Sequence, residues 1–371
     1  MRVTLISQLP PPRHGSTIMT EHLVRSLQSM GHDVKVVERR FSKSISEVGR
    51  FSLRKVASAA WMPARLLGAV TMRRPDVVIF FVTNRTFSFL VDVLLTGVLR
   101  LTKTPRILYV HTSGWRHLSR QSKLMGSLAR FTFNGARAVV TLGPRLGDDV
   151  RGVVGDAPVR FIANTTNTPS RRLIKDVGSG PLLVRYISNL IPAKGVIDFV
   201  QLAEVLISEG LPIRFEIYGA TADEAFQRKV EARVTALGSE QLVLRGHVSN
   251  EQHMVRILES TDVLVFPSVY EFEAQPLTIV EAVAHGVVVA AYDIGGVADV
   301  ASNEYAFVTS PGAVDGLAGF VRRMHENRSE LNRLSRAAQV HFEQHLSPAR
   351  FDQEWASVLE EGNRLESEKP I

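Results

Sequence analysis

Two glutamates in the second half of the chain stand at a spacing that suits a polyhydroxylated ligand. Glu273 lies in a polar loop after a buried-strand pattern, and Glu281 lies seven intervening residues later, in a helix pattern that begins at Leu277. A strand, a loop and a helix N-terminus in this order form the usual ligand position of an open α/β sheet. The first turn of the helix suits phosphate, and carboxylates accept hydrogen bonds from hydroxyl groups. On charge alone, Glu271, Glu273 and Glu281 are better explained as ordinary loop and surface charges.

The bulk composition bounds the kind of protein. At 371 residues, two domains are expected. The chain has no cysteine, which excludes disulfides, thiolate chemistry and cysteine-ligated zinc. Its first residues, MRVTLISQLPPP, read as a strand rather than a signal peptide. No uncharged apolar run is long enough to span a bilayer, and a cytoplasmic location is compatible with all of these features.

The charge is unevenly distributed. Residues 1–170 hold 25 Lys and Arg against 9 Asp and Glu, whereas the remainder holds 19 against 28. A cationic half attracts nucleic acid, anionic membrane or polyanionic substrates. Nucleic acid is the weakest of these alternatives, because the cations lack interleaved aromatic platforms or a known recognition module.

Strand and helix patterns alternate along both halves. Examples are the buried strand pattern DVVIFFV at 76–82, a helix over 86–101, and a restart of the alternation at 182. This alternation predicts an α/β chain with two doubly wound parallel sheets. We expect one domain over 1–168, joined by the C-terminal helix 348–366, a linker at 164–181, and a second domain over 180–345.

The first half offers its own candidate residues. A proline-rich loop after the first strand leads to Gly15 and Ser16, which open a helix, and His111 ends a parallel strand where such sheets bind ligands. A helical pattern over 43–74 places four cations on one stripe opposite apolar residues, namely Lys43, Arg50, Arg54 and Arg65. Such a helix either docks on an anionic membrane or packs on the sheet with solvated charges.

Five short motifs follow one another in the second half. They read SNLIPAKG, IYG, GHV, PSVYE and EAQPLTIVEAVAHG. Together with the two alternating halves, they resemble the signature of the retaining glycosyltransferases of family 4 (group 1). The resemblance covers nearly the whole chain. It implies the GT-B fold, in which two Rossmann-like domains face each other across a cleft, and a nucleotide-diphosphate sugar as donor.

The resemblance assigns roles by position. Lys194 would neutralise the diphosphate, the amides of Leu277 and Thr278 would cap it, and Glu281 would bind the ribose hydroxyls. The catalytic candidates are His111, Lys194 and Glu273. The donor-binding candidates are Gly15, Ser16, Asn189, Lys194, Gly219, His247, Val248, Glu273, Leu277, Thr278 and Glu281.

Two departures from the family pattern concern the phosphate site. Asn189 stands where the family has an arginine, so one bidentate phosphate contact is missing. Either Arg185 or Arg13 replaces it, or the leaving group is stabilised less. Pro276 stands where the family has a glycine and removes one N–H donor. The loop Pro11-Pro12-Arg13-His14-Gly15 is similar to that of enzymes of bacterial surface-polysaccharide assembly.

Transfer of a sugar from a nucleotide-diphosphate sugar needs positive charge and N–H groups of the protein that stabilise the departing diphosphate. No Asp-x-Asp triplet occurs, so we expect neither a metal nor another cofactor, and we expect a UDP- or GDP-sugar as co-substrate. The cationic first half would bind a glycan or lipid-linked acceptor at the inner face of the cell membrane. The candidate membrane or acceptor cations are Arg13, Lys43, Arg50 and Arg54.

Two alternatives remain at this point. A sugar-nucleotide 2-epimerase shares the two-domain fold but needs no acceptor. A catalytically weak GT-B partner protein at the membrane would explain Asn189.

Overall fold

The computed structural model describes residues 1–11, 14–39, 53–167, 180–221 and 223–367, with only the backbone of the helical residues 53–60 and 362–367. The chain divides into two compact units. Unit 1 comprises Met1–Asn164 and Ala349–Ile371, and unit 2 comprises Thr165–Pro348.

Unit 1 is built on a parallel sheet of six strands in the order β2-β1-β3-β4-β5-β6. The strands are β1 (Arg2–Ser7), β2 (Asp33–Glu38), β3 (Val77–Val82), β4 (Arg106–Val110), β5 (Ala138–Thr141) and β6 (Val159–Phe161). All six residues of β3 are buried. A strand covered on both faces needs a continuous apolar run, and VVIFFV supplies it.

The helices of unit 1 connect these strands. They are α1 (Gly15–Ser29), α2 (Leu53–Arg73), α3 (Thr86–Leu101), α4 (Trp115–Gln121), α5 (Lys123–Phe133) and α6 (Pro144–Val150). The prediction of a helix over 86–101 is confirmed, and Leu66 and Val70 of α2 are buried as the 43–74 pattern indicates. Residues 40–52, which include Lys43 and Arg50, lie outside the described residues.

The C-terminal helix α13 (Pro348–Ser367) completes unit 1. Trp355 of α13 is fully buried, and its ring meets that of Tyr109 edge-on with centroids 5.0 Å apart. The Ser26 hydroxyl on α1 donates to Asp352 Oδ1 at 2.5 Å. The chain therefore returns to its first unit through both an apolar anchor and a polar bond.

A buried ion pair ties the end of β2 to α3. Arg39 lies 2.9 Å from Asp92 Oδ1 and donates to the carbonyl of Phe81 at 2.6 Å. Burial raises the pKa of Asp92 to about 7, against the opposing effect of Arg39 and the amide of Thr83. Neither partner could be assigned from the sequence, since they are far apart in the chain.

Unit 2 is built on a second parallel sheet of six strands, in the order β12-β11-β10-β7-β8-β9. The strands are β7 (Leu182–Ile187), β8 (Ile213–Tyr218), β9 (Leu242–Gly246), β10 (Val263–Phe266), β11 (Val288–Tyr292) and β12 (Ala306–Thr309). The order reverses between β7 and β10, which is the arrangement of a Rossmann fold with its switch point between these strands.

The helices of unit 2 are α7 (Val196–Ser208), α8 (Glu224–Ala236), α9 (Glu251–Ser260), α10 (Leu277–Ala284), α11 (Val314–Glu326) and α12 (Arg328–His341). A π-helical turn, Phe342–Leu346, follows α12. The predicted α/β class with two Rossmann-like parallel sheets is confirmed. In the part of the chain that the structure describes, no helix is both long and apolar enough to cross a membrane.

We predict that Trp355→Ala destabilises unit 1 by about 3–5 kcal/mol, because it leaves a large cavity against β4. Urea unfolding followed by circular dichroism measures the change. Val340→Ala is the control, since Val340 is 54% exposed on α12. An unchanged unfolding midpoint for Trp355→Ala would show that α13 does not belong to the core of unit 1.

Candidate functional site

The switch point of unit 2 brings together two segments that are far apart in sequence. The loop after β7 carries Lys194 at the end of a short 3-10 turn, Pro192–Lys194, and the loop after β10 carries Glu273. Because β7 and β10 are hydrogen-bonded neighbours, their carboxyl ends open onto the same edge of the sheet.

Lys194 and Glu273 form an ion pair at this edge. Lys194 Nζ lies 2.5 Å from Glu273 Oε2, and the two side chains are 15% and 9% exposed. The ammonium also lies 4.8 Å from the centroid of the Tyr270 ring. The electron-rich face of the ring and the carboxylate together hold the positive charge in a nearly dry position.

The geometry leaves one oxygen of Glu273 unused. The hydroxyl of Ser268 donates to Oε2 at 2.9 Å, the same atom that accepts from Lys194. Within the described residues, Oε1 therefore receives no donor from the protein. A carboxylate held in this way can accept a hydrogen bond from a hydroxyl of a bound ligand.

Two glycines allow the loops around Glu273 to meet. Gly195 has φ +75°, and a Cβ there would lie 1.9 Å from the carbonyl oxygen of Pro267. Gly295, from the loop after β11, has φ +54°, and a Cβ there would lie 1.7 Å from the carbonyl oxygen of Glu273. Only glycine permits both the backbone angle and the contact at these positions.

The N-terminus of α10 adds hydrogen-bond donors. Pro276 precedes the helix, and its carbonyl accepts from the amides of Ile279 and Val280. Among the described residues, the amides of Leu277 and Thr278 have no acceptor on the protein. They supply the N–H groups and the positive end of the helix dipole that suit an anion.

Glu281 lies one turn into α10 and is half-buried. Its carbonyl is 2.8 Å from Nδ1 of His285, which is fully buried at the end of the helix. Glu281 therefore shares with Leu277 and Thr278 the short helix that follows the switch-point loop, as the sequence predicts. Its role toward a ligand stays a prediction.

The remaining predicted donor-site residues lie at the carboxyl ends of neighbouring strands. Asn189 follows β7 and is exposed, and its carbonyl accepts from the hydroxyl of Tyr186 at 3.1 Å. Gly219 follows β8, where a Cβ would lie 2.1 Å from the carbonyl of Ser188. His247 and Val248 follow the edge strand β9. All of them lie at the carboxyl-end edge of the sheet, which is the edge where open α/β sheets bind ligands.

The suggestion that Arg185 replaces the missing arginine is wrong. Its side chain is buried, pairs with Glu216 at 2.7 Å, and donates to the carbonyl of Ile257. Its guanidinium makes its hydrogen bonds inside unit 2 and does not reach the loop that carries Asn189. The other suggested residue, Arg13, lies outside the described residues.

Glu216 is the centre of a charge cluster that the sequence analysis missed. Arg185 donates to its Oε2, and Arg245 donates to its Oε1 at 3.0 and 2.7 Å. Burial opposes the ionisation of Glu216, but the hydrogen bonds from both arginines outweigh it, and its pKa is lowered. A signal was present in the sequence, since Arg185 and Glu216 are charged residues within two otherwise apolar strand patterns. In the structure, these two residues stand opposite each other on β7 and β8.

In unit 1, His111 follows β4, beside β3. Its ring stacks on Phe81 at 5.0 Å and meets Tyr109 edge-on at 4.1 Å. Burial lowers the pKa of His111 to about 3. The imidazole is therefore neutral at physiological pH, and its Nε2 is buried without a hydrogen-bond partner among the described residues.

The loop after His111 is held from two sides by residues that the sequence did not single out. Asn84 Nδ2 donates to the carbonyl of Ser113 at 2.5 Å. The carboxylate of Asp149 accepts from the amides of Gly114 and Trp115, both at 2.8 Å, and of Arg116 at 3.0 Å. Asp149 thus caps α4 from another helix and fixes the loop that positions His111.

Gly15 and Ser16 begin α1, directly after the loop that follows β1. The Ser16 hydroxyl lies 3.1 Å from His14 Nδ1, and the Thr17 hydroxyl accepts from the amide of His14 at 3.0 Å. The predicted helix start is confirmed. Of the predicted membrane cations, only the backbone of Arg54, in α2, is described.

Two family models match consecutive stretches of the chain. The model of glycosyltransferase family 4 matches residues 13–168, and that of glycosyl transferases group 1 matches residues 171–341. Together these matches span most of the sequence. The chain belongs to this glycosyltransferase family.

Individual relatives agree with this assignment. The glycosyltransferase is 27% identical over 290 residues to the 2-deoxystreptamine glucosyltransferase of Streptomyces kanamyceticus, across 71% of this chain and 73% of that protein. Sucrose-phosphate synthase from Thermosynechococcus elongatus superposes with a TM-score of 0.75 at 15% identity, over 97% and 99% of the chains. Anabaena Alr3699/HepE, solved in complex with UDP and glucose, gives 0.70 at 14%, over 97% and 99%. These structural likenesses show the GT-B fold.

We predict that the buried His111 makes the glycosyltransferase less stable in mild acid. The unfolded chain binds a proton at His111 below pH 6.5, whereas the folded chain does not until about pH 3. The stability associated with neutral His111 is thus complete above pH 6.5 and is lost as the pH falls from 6.5 toward 3. At pH 5 the loss should reach at most about 2 kcal/mol.

His111→Phe tests this, because phenylalanine keeps the stacking on Phe81 and cannot be protonated. Urea unfolding at pH 7 and pH 5 should show a smaller pH-dependent loss in the variant than in the wild type. NMR titration of the wild-type imidazole, which needs no variant, should show no protonation down to pH 5. A midpoint near 6.5 in that titration would overturn the neutral assignment.

Proposed function

We propose that this glycosyltransferase moves a sugar, with retention of anomeric configuration and without a metal, from a nucleotide-diphosphate sugar to a glycan or lipid-linked acceptor. Its role would be in cell-surface polysaccharide or glycolipid assembly, at the inner face of the cell membrane. The observation that carries the proposal is the Lys194–Glu273 pair at the switch point, next to the N-terminus of α10.

In the proposed reaction, the bond between the anomeric carbon and the diphosphate breaks, and a bond to an acceptor oxygen forms on the same face. The proton of the acceptor hydroxyl passes to the departing diphosphate, so no protein base is required. Negative charge grows on the diphosphate as the bond lengthens. Lys194 and the amides of Leu277 and Thr278 would stabilise that charge.

Glu273 would act in two ways in this scheme. Through Oε2 it holds the ammonium of Lys194 in place, and an ammonium has two further N–H donors for phosphate oxygens. Through Oε1 it can accept from a hydroxyl of the transferred sugar. Its negative charge also favours a sugar that becomes positive in the transition state.

The other roles are those that the family resemblance assigns, and the placement of the residues supports them. Glu281 on α10 would bind the ribose, and His247 and Val248 after β9 would lie near the base. Neutral His111 would accept or donate a hydrogen bond without adding charge beside the reacting sugar. A UDP-sugar is the first donor to test, because Alr3699/HepE was solved in complex with UDP and glucose.

A thermal-shift screen without added metal tests the donor. One of the UDP-, GDP-, ADP- or dTDP-sugars should raise the melting temperature, since a ligand at a hundred times its dissociation constant stabilises by about 2.7 kcal/mol. NMR of the first product should then show the same anomeric configuration as the donor. An inverted product would overturn retention, and a donor converted without acceptor would indicate an epimerase.

We predict that Lys194→Ala lowers kcat/KM roughly 10²-fold or more, because it removes a preorganised cation from the leaving group. Glu281→Ala should weaken donor binding. The matched control is Lys229→Ala, which removes an exposed lysine on α8 of the same unit. Glu281→Ala should melt at the wild-type temperature without donor, whereas Lys194→Ala should melt at a lower temperature, because it leaves the largely buried Glu273 without its partner. Near-wild-type turnover in Lys194→Ala would remove the site assignment.

A catalytically weak partner protein is a second candidate, and one observation favours it. Asn189 supplies no guanidinium, and Arg185 is locked against Glu216. In that case the donor would bind in the thermal-shift screen, but no acceptor would be glycosylated. Asn189→Arg should then restore turnover if the missing cation is the cause.

A further inference from the structure

Arg245 stands where the edge strand β9 departs from its regular pairing with β8. Leu244 of β9 lies opposite Ile217 of β8. The next residue of β8 lies opposite Gly246, so β9 has one extra residue, Arg245, between these two pairs. Such an extra residue is a β-bulge, which re-aims a side chain and is common beside functional sites. The bulge places Arg245 outside the regular ladder at the carboxyl end of β9.

Glu216 holds the guanidinium of Arg245 in one orientation. Both Nε and Nη2 of the arginine donate to Oε1 of this carboxylate, at 3.0 and 2.7 Å. The other oxygen, Oε2, accepts from Arg185 at 2.7 Å and from the hydroxyl of Tyr218 at 3.2 Å. Because each carboxylate oxygen receives two donors, a rotation of Glu216 would break several charge-assisted hydrogen bonds. The planar guanidinium is therefore fixed along one of its edges.

One positive charge of this cluster is left for a ligand. Arg185 is 6% exposed and compensates the charge of Glu216, whereas the side chain of Arg245 is 48% exposed. The second arginine thus adds a net positive charge at the surface of the sheet. Within the described residues, Nη1 of Arg245 has no acceptor. A fixed guanidinium with an unused amino group can donate to a bound ligand.

Arg245 lies toward the same edge of the sheet as the proposed donor site. β7, β8 and β9 are consecutive in the sheet, and neighbouring strands are about 4.8 Å apart, so β9 lies roughly 10 Å from β7. In the proposed function, the diphosphate lies at the loop after β7, and the base lies beside His247 and Val248. These two residues follow Arg245 closely in the chain. A nucleotide that spans the edge in this way brings its base next to the guanidinium.

We infer that Arg245 reads the base of the donor nucleotide, by donating from Nη1 to a carbonyl oxygen of the base. Guanine has such an oxygen at O6 and thymine at O4, and uracil shares the O4 position, whereas adenine has an amino group instead. An amino group that faces Nη1 would leave donors on both sides without an acceptor. The structure thus favours donors with a keto base over adenosine-diphosphate sugars. This deepens the proposed function, on which the position of the base rests.

Isothermal titration calorimetry tests the inference with UDP, GDP, ADP and inorganic pyrophosphate, in a buffer without divalent cations. The wild type should bind UDP or GDP roughly tenfold or more tightly than ADP. Arg245→Ala should weaken binding of that preferred nucleotide roughly tenfold or more, because a hydrogen bond from a charged donor is lost. The affinities for ADP and pyrophosphate should change little. A structural role alone would lower the affinities for all three nucleotides together.

Two further variants separate base reading from charge and from folding. Arg245→Lys keeps the positive charge but lacks the planar guanidinium, so it should not restore the preference for the keto base. Glu216 retains Arg185 and Tyr218 in both Arg245 variants, so both should remain folded in circular dichroism. The matched control is Arg228→Ala, which removes a 68% exposed arginine from α8 and should leave all four affinities unchanged.

The outcomes distinguish the inference from the proposed function. If the wild type binds nucleotides but Arg245→Ala keeps the same base preference, the inference fails and the donor site stands. An equal loss for UDP, GDP and ADP, a wild type that prefers ADP, or an equally large loss for pyrophosphate would overturn it in the same way. If the wild type binds none of the nucleotides, the proposed donor site fails, and base reading by Arg245 fails with it.

Discussion

The ion pair between Lys194 and Glu273 joins the two loops on which the candidate donor site depends. A lysine and a glutamate that are both largely buried require each other, because either one alone would be an uncompensated charge in a poorly solvated place. Their pairing fixes the position of the ammonium, brings the loops after β7 and β10 into contact, and orients the carboxylate. The glycines at 195 and 295 allow this approach by removing side chains that would collide with carbonyl oxygens.

The two units use buried charge differently. In unit 2, Glu216 is satisfied by two arginines, Arg185 and Arg245, which lie on the strands on either side of it. In unit 1, Asp92 is paired with one arginine and is also desolvated enough for its pKa to rise.

Neutrality is the distinctive property of the His111 position. Aromatic rings on two sides exclude water and disfavour the imidazolium. Asn84 and Asp149 hold the following loop through backbone groups, so the ring is positioned without a charged partner. This differs from the switch point of unit 2, where the charges of Lys194 and Glu273 stabilise each other.

The fold class, the family and most of the secondary structure follow from the amino-acid sequence. These are local properties: a continuous apolar run such as VVIFFV predicts a strand covered on both faces, and short motifs in a fixed order identify a family. The sequence also placed Glu281, Leu277 and Thr278 on one helix, because that follows from helical spacing alone.

The tertiary structure shows which distant residues meet. It paired Lys194 with Glu273 and Arg185 with Glu216, and it brought Asn84 and Asp149 to the loop after His111. It also showed which side of α3 is packed, since Phe89, Leu95 and Leu99 are fully buried. Such facts depend on strand order and packing, since the charge state and partners of a side chain are set by neighbours that lie far away in the chain.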